Sequence, residues 1–289
     1  MRSQKQLRDE LRFVTEFTTL FDVVQQTAAT QLRHFDEQAG RQPALVERLR
    51  KEFFPLLPPE ARQHIDVRGG TEGRLLVVIT SDEGLVGPLH AAVVHEAQRR
   101  AETNTQWLFI GQRGWRIADI EAGRAHVVPI PPEERLDEQM VRIRQFILTQ
   151  YRTQGLKDVW LIAPRYVSTT HQEVVVEQLL PLPVGTLHVD DTRLVIEPSV
   201  RCVVERLTDA WVEALCRERF WSSHRAECAA RALHVEVSRQ ELSRRARAVQ
   251  HAFFKTMHER LDVMVRETCV VQRHLARRKV RQRQLTAVA

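Results

Sequence analysis

Four places in this chain carry residue types at spacings that chemistry uses. Ser81 and Asp82 lie in the stretch VITSDEGLVGPLH, from Val78 to His90, where an apolar run stops in a Gly-containing turn and a helix-like run begins. A strand, a turn and a helix N-terminus of this shape bind an anion when successive backbone N–H groups converge on one spot. His224 and Cys228 are four apart, which on a helix places two metal-ligand types on one face. HEAQRR at His95 and HERLD at His258 begin like the H-E-x-x-H helix of zinc proteases.

Each falls short of a site. The protease pattern needs a second histidine, and Arg99 and Asp262 stand there instead. A pair such as His224 and Cys228 supplies too few ligands for a structural zinc. Phosphate handling of the P-loop type needs G-x-x-x-x-G-K-[ST], which does not occur, and Gly84 with Gly87 makes an incomplete dinucleotide fingerprint that lacks the first, turn-forming glycine. No G-x-S-x-G nucleophile elbow is present, and a side-chain turn bond accounts for adjacent Ser81 and Asp82 without catalysis. The expectation is a chain with no catalytic, cofactor-binding or metal site and no cofactor.

Composition narrows the class further. The 289 residues are 43% apolar and 28% charged, an ordinary globular balance, but only 6% aromatic, which suits long helices better than a thick globule. Lys plus Arg number 43 against 37 acids, a formal charge of +6, and most of the arginines are interspersed with acids. Nucleic-acid binders concentrate their positive charge; only RRKVRQR, from Arg277 to Arg283, does so here, and cations at a helix end also complement its dipole. A basic coiled-coil nucleic-acid-binding or scaffold protein therefore stands as the alternative reading. Cys202, Cys216, Cys228 and Cys269 show no C-x-x-C spacing and predict neither disulfide framework nor zinc ribbon. The charged start MRSQKQLRDELRF does not read as a signal peptide, and no apolar run approaches the ~20 residues of a membrane span.

The elements that must position any site follow from Gly and Pro, which are confined to the middle of the chain, from Gly40 to Pro198. The flanks read as long helices. Leu7, Leu11, Val14, Thr18, Phe21, Gln25, Ala28, Leu32 and Phe35 advance in alternating steps of four and three, and Phe254, Met257, Leu261, Met264, Thr268, Val271 and Leu275 do likewise. Each stripe needs a partner, and antiparallel pairing of the two helices is the economical arrangement. Between them, RLLVVIT (74–80), WLFI (107–110) and KDVWLIA (157–163) read as buried strands, with helices over 88–102 and 133–154 and Gly155 at a helix end. The expected fold is α/β: a long antiparallel coiled coil of N- and C-terminal helices plus a central Rossmann-like α/β domain. The expected boundaries are 1–60, 61–197 and 198–289.

On this ground VITSDEGLVGPLH resembles the I-T-S-D-R-G-L-C-G-G-L-N signature of the gamma subunit of F-type ATP synthases, with Ser81, Asp82, Gly84, Leu85 and Gly87 in place. RDELRFVTEFTTLFDVVQQTAATQLR is similar to the family's opening helix, and IGQRG at Ile110 to its V-G-x-K-G. IEPSVRCVVERL with AECAARALHVE resembles Y-E-P-S and the following S-E-H-x-A-R-M-x-A-M helix, keeping Glu197, Pro198, Ser199, Glu227 and Arg231. The resemblance covers nearly the whole chain. It implies a central-stalk rotor subunit that transmits torque between the membrane c-ring and the catalytic alpha/beta hexamer, with the epsilon subunit as a further partner. It also implies no direct nucleic-acid partner and a place on the cytoplasmic face of a bacterial inner membrane. Arg277, Arg278 and Arg281 would meet acidic loops of the hexamer. The sequence departs from the family where Phe254, Met257 and His258 replace N-x-x-R-Q and where Asp22, Val23 and Val24 replace K-A-M. Those contacts cannot be transferred, and the divergence looks like that of an alternate, sodium-translocating type of F-type ATPase.

Overall fold

The computed structural model describes residues 4–40, 43–58, 60–61, 72–121, 123–183 and 195–286. The chain forms two compact units: residues 24–235, and residues 1–23 together with 236–289.

The larger unit is built on a five-stranded sheet of order β3-β2-β1-β4-β5. Strands β1 (Arg74–Ile79), β2 (Thr105–Ile110), β3 (Ala125–Val128) and β4 (Asp158–Tyr166) run parallel, and β5 (Gln172–Leu180) returns antiparallel to β4. Because successive side chains point to opposite faces, β1 divides its apolar run between two cores. Leu75, Val77 and Ile79 join one; Leu76 and Val78 join the other. A strand covered on both faces must be apolar throughout, which is why RLLVVI shows no alternation. α2 (Pro43–Arg48) contributes Val46 to the first core. On the second face lie α3 (Leu89–Arg99), through Val93, Val94 and Ala97, and α4 (Gln112–Ala118), through Ala118.

The first face is covered by α5 (Leu136–Thr153), through Leu136, Met140, Ile143 and Ile147, and by α6 (Val200–Thr286), through Trp211, Leu215 and Phe220. Asp137 and Glu138 in the first turn of α5 complement its dipole. Gly155, at φ +60, follows its end in the left-handed conformation that a glycine adopts freely. α6 is pinned to the sheet where Trp211 Nε1 donates to the Leu179 carbonyl at 3.1 Å and Arg219 bonds the Glu177 carboxylate at 2.8 Å.

α6 starts after Ser199, whose hydroxyl accepts the Cys202 N–H at 3.3 Å, and continues unbroken through His224 and Arg225 to Thr286. α1 (Gln4–Gly40) pairs with it antiparallel in each unit. In the larger unit Arg225 meets Asp36 at 2.6 Å and Cys228 meets Gln31 at 3.7 Å. In the smaller unit Arg239 meets Asp22 at 3.6 Å, Arg245 meets Glu10 at 2.7 Å and Arg260 meets Gln4 at 2.9 Å.

Candidate functional site

In the larger unit the stretch that follows β1 packs on α6, and the residues singled out by sequence converge there. Thr80 ends the strand buried, its backbone N–H bonded to the Ile110 carbonyl at 2.7 Å and its hydroxyl accepting the Gly114 N–H at 3.0 Å. Gly111 is required at this crossing. Its φ is +95, and a Cβ there would stand 2.5 Å from the Thr80 carbonyl oxygen. Asp82 then acts as a backbone clasp, its carboxylate accepting the N–H groups of Gln112 at 2.7 Å and Ile130 at 2.9 Å. It ties the loop to two neighbouring connections 30 and 48 residues further along the chain, rather than making a local turn bond.

Ser81 is buried, donating to the Glu83 carbonyl at 3.1 Å and lying 2.9 Å from His90 Nε2. The buried Nδ1 of His90 is left without a hydrogen-bond partner among the described residues. Burial pushes His90 down to about 4, aided by the positive charges of Arg231 and Arg113. The pair is thus a serine and a neutral imidazole with no acid orienting the ring, the opposite of an activated nucleophile.

The helix supplies the other half. Arg231, one turn beyond Glu227 on α6, is buried; its Nε donates to the Gly84 carbonyl at 3.2 Å and its Nη2 reaches the Glu83 carboxylate at 2.9 Å. Glu227 is 2% exposed and accepts the Ser223 hydroxyl at 3.1 Å. Burial raises its carboxyl to about 7, against the opposing pull of the Ser81 hydroxyl, Arg231 and Ser223. His224, 3.9 Å from Glu227, is driven down to about 4 by burial. Below this polar layer Val86, Leu89, Ala226 and Ala230 form an apolar contact between loop and helix. Two left-handed residues shape the loop: Gly87 at φ +60, with His234 beside it, and Leu85 at φ +64, half-exposed at the tip.

Of the residues drawn from sequence, Ser81, Asp82, Gly84, Leu85, Gly87, Glu227 and Arg231 meet at this joint. Glu197 and Pro198 lie elsewhere, beside a cavity of about 640 Å³ lined also by Phe53, Leu56, Val203 and Leu207. His224 and Cys228 do share a helix face, but Cys228 turns to Gln31 and His224 packs on Phe35 and Phe220. Among the described residues no group of three or more His, Cys, Asp or Glu is gathered to hold a metal ion. His90, Glu83 and Ser223 belong to the joint and escape a reading by sequence motif, whereas Thr80 falls on the threonine of the resembled I-T-S-D signature. The one available signal is that His90 closes the glycine-containing stretch where the resembled signature has asparagine.

The helix stripes divide. On α1, Leu7, Val14 and Ala28 are buried and Leu11, Phe21 and Leu32 half-buried. On α6, Met257 is half-buried, but Phe254, Leu261, Met264, Val271 and Leu275 are exposed. The apolar α6 residues that line a groove of about 820 Å³ with Leu7 are Ala248, Val249, Ala252 and Val263, and none of the Phe254 stripe is among its lining. The four-three spacing from Phe254 onward therefore does not mark the face turned to α1. Val263, Val265 and Val270 are exposed as well, so apolar residues spread around the helix there and a spacing rule selects no single face. The side chains of Arg277, Arg278 and Arg281 lie outside the described residues.

An α/β body gripped by one of two antiparallel terminal helices, with its polar groups used for joinery, defines the central-stalk class of rotary-ATPase subunit. The family model for ATP synthase matches residues 3–256, and the chain belongs to the ATP synthase gamma family. It is 24% identical over 255 residues to the ATP synthase gamma chain of Cupriavidus metallidurans, covering 82% of this chain and 87% of that one. The gamma chain of Ralstonia nicotianae is 23% identical over 258 residues. Among solved structures it is similar to a chain of the Euglena gracilis mitochondrial ATP synthase rotor, with TM-score 0.66 and 14% identity over 89% of this chain and 98% of that one. A chain of the Tetrahymena thermophila central stalk and c-ring gives TM-score 0.60 at 18% identity, covering 76% and 99%.

Proposed function

We propose that this chain is the rotating shaft of an F-type ATPase, carrying torque between a membrane c-ring and a catalytic alpha/beta hexamer, with an epsilon subunit against its body. It has no catalytic site of its own and works at the cytoplasmic face of a bacterial inner membrane, held there by its partners. No helix among the described residues is long and apolar enough to cross a membrane. The reading is carried by α6: its last described ion-pair or hydrogen-bond contact with α1 is at Arg260, and from Leu261 to Arg273 every residue is exposed, apolar ones included. Apolar residues exposed along a helix call for a surrounding partner, and a hexamer that encloses the shaft supplies one.

Two features support the absence of catalysis. Ser81 and His90 are buried, and the imidazole has no acid at its Nδ1 to orient it. The polar groups of the loop are consumed by bonds to α6 or to backbone. The nucleic-acid alternative is not favoured, because Arg239 and Arg245 in the paired region answer acids of α1.

Reconstitution tests the reading. Mixed with the alpha and beta subunits encoded beside it, the chain should assemble at one copy per hexamer and change the rate of ATP hydrolysis. Failure to assemble with any such hexamer would limit the likeness to fold.

A further inference from the structure

From Leu207 to Ala232 no residue of α6 is exposed, although the stretch is one continuous helix. A helix that lies on a domain surface keeps a polar face in water. This stretch has no such face, so it passes through the larger unit with cover on every side. Much of the cover is directional. Trp211 Nε1 donates to the Leu179 carbonyl of β5, and Arg219 makes a two-bond fork on the Glu177 carboxylate of the same strand. From α5, Arg144 donates to Glu213 at 2.6 Å and Asp137 accepts from Arg217. Arg225 donates to Asp36 of α1 and its guanidinium lies 4.5 Å from the Tyr166 ring centre. Arg231 takes Glu83 and the Gly84 carbonyl of the β1–α3 loop.

We propose that this stretch is a keyed seat, the place where load crosses between the α/β body and the shaft, and that Arg217, Arg219, Arg225 and Arg231 are positioning residues that stop α6 from turning about its own axis or sliding along it. The seat rests on the rotor reading above and says where that load is borne. The keys are spread around the helix. Counted from Trp211 at about 100° per residue, Arg219 stands at about 80°, Glu213 and Arg231 at about 200°, Arg217 at about 240° and Arg225 at about 320°. Four elements hold them: β5, α5, α1 and the β1–α3 loop. A torque that rolls α6 toward one partner therefore pulls it from another, and a slide along the axis stretches bonds distributed over roughly 30 Å of helix. Apolar burial is non-directional and resists separation more than rotation. Buried ion pairs add little stability over well-packed apolar residues, but they fix a geometry, most firmly in a two-bond guanidinium fork. That is what Arg219 makes, with a side chain only 11% exposed.

The test uses the full assembly, this chain with its co-encoded subunits and c-ring in lipid vesicles, and reads ATP hydrolysis together with uptake of protons and of sodium. A triple variant, Arg219→Met and Glu177→Leu with Arg225→Met, keeps apolar bulk in the seat and removes two keys on different sides of the helix. Hydrolysis should stay within about twofold of wild type while ions moved per ATP fall by about threefold or more, a split that a general loss of stability would not produce. Ions per ATP equal to wild type would overturn the seat. Should the variant not fold, the wild type decides. A magnetic bead fixed to the exposed β4–β5 hairpin at Thr169, turned against the direction of hydrolysis, should stall nucleotide turnover because body and shaft move as one. A body that slips round while turnover continues rejects the keys. A wild-type chain that does not assemble removes the rotor reading and the seat with it, whereas an assembled wild type that couples no better than the variant removes the seat alone.

Discussion

Arg231 and Arg245 are carried by the same helix and each answers a glutamate from another element, yet their settings are opposite. The Arg231 side chain is 8% exposed and also bonds the Gly84 carbonyl, inside a layer with Glu227, Ser81 and His90. Arg245 is 61% exposed, and its partner Glu10 lies beside an open groove. The larger unit fixes loop to helix with buried polar groups that have nowhere else to bond. The smaller unit pairs its two helices with contacts that water can replace. A joint must not slip, whereas a helix pair that will be enclosed by other subunits can be held loosely until they arrive.

All five tryptophans, at positions 107, 115, 160, 211 and 221, lie in the larger unit, so tryptophan fluorescence isolates its unfolding from that of the smaller. The largest effect expected is from Trp211→Ala. Its ring is fully buried against Phe54, with the indole N–H bonded to Leu179. Truncation should cost about 3–5 kcal/mol in denaturant titrations followed by the remaining tryptophans. A loss below about 1 kcal/mol would mean that α6 is not locked to the sheet there.

Next comes pH. His90 and His224 are both depressed to about 4 in the folded chain. Their contribution is therefore complete above the ordinary histidine value near 6.5 and is lost as pH falls toward 4, because the unfolded state binds the protons first. Glu227, raised to about 7, acts with the opposite sign, contributing most below the unfolded carboxyl value and losing its part as pH rises through 7. His224→Phe keeps a ring between Phe35 and Phe220. It should flatten the acid limb by on the order of 1 kcal/mol per pH unit between about 4.5 and 6.5, one proton's worth. Parallel profiles for variant and wild type would show that His224 is not neutral when folded.

How much of this was readable in sequence depends on distance along the chain. β1, β2 and β4 announce themselves as continuous apolar runs, and α6 by the lack of Gly and Pro. The edge strands are harder: β3 is four residues, AHVV, and β5, QEVVVEQLL, mixes glutamates and glutamines into its apolar run because its residues are mostly only half-buried. The joint was legible only as separate fragments that resemble a family. Nothing in the spacing of Gly84 and Arg231 says that they meet, since that contact exists only after the sheet has formed and α6 has packed on it. His224 shows the same limit: a four-residue interval to Cys228 marks a shared helix face but not the phenylalanine environment that makes its imidazole neutral.

The arginine comparison can be tested directly. Arg231→Ala removes a buried donor from a backbone carbonyl and should destabilise the larger unit by about 1–3 kcal/mol, read by fluorescence. Arg245→Ala breaks a pair whose arginine is exposed, though Glu10 is only 17% so, and should cost about 0.2–1 kcal/mol, read by helical circular dichroism with fluorescence unchanged. Equal costs would erase the distinction between joint and helix pair.

The smallest effect on the isolated chain carries the most weight for the rotor reading. Met264 is 61% exposed, and Met264→Ser should change stability by less than about 0.5 kcal/mol, because its side chain stands mostly clear of the described residues. If the exposed apolar residues of α6 meet a hexamer, the same substitution should weaken assembly, and doubling it with Val271→Ser should weaken it further. Binding of the reconstituted alpha and beta subunits, compared at equal helicity, separates the two possibilities. A variant that keeps both stability and assembly would place the hexamer contact elsewhere on the helix.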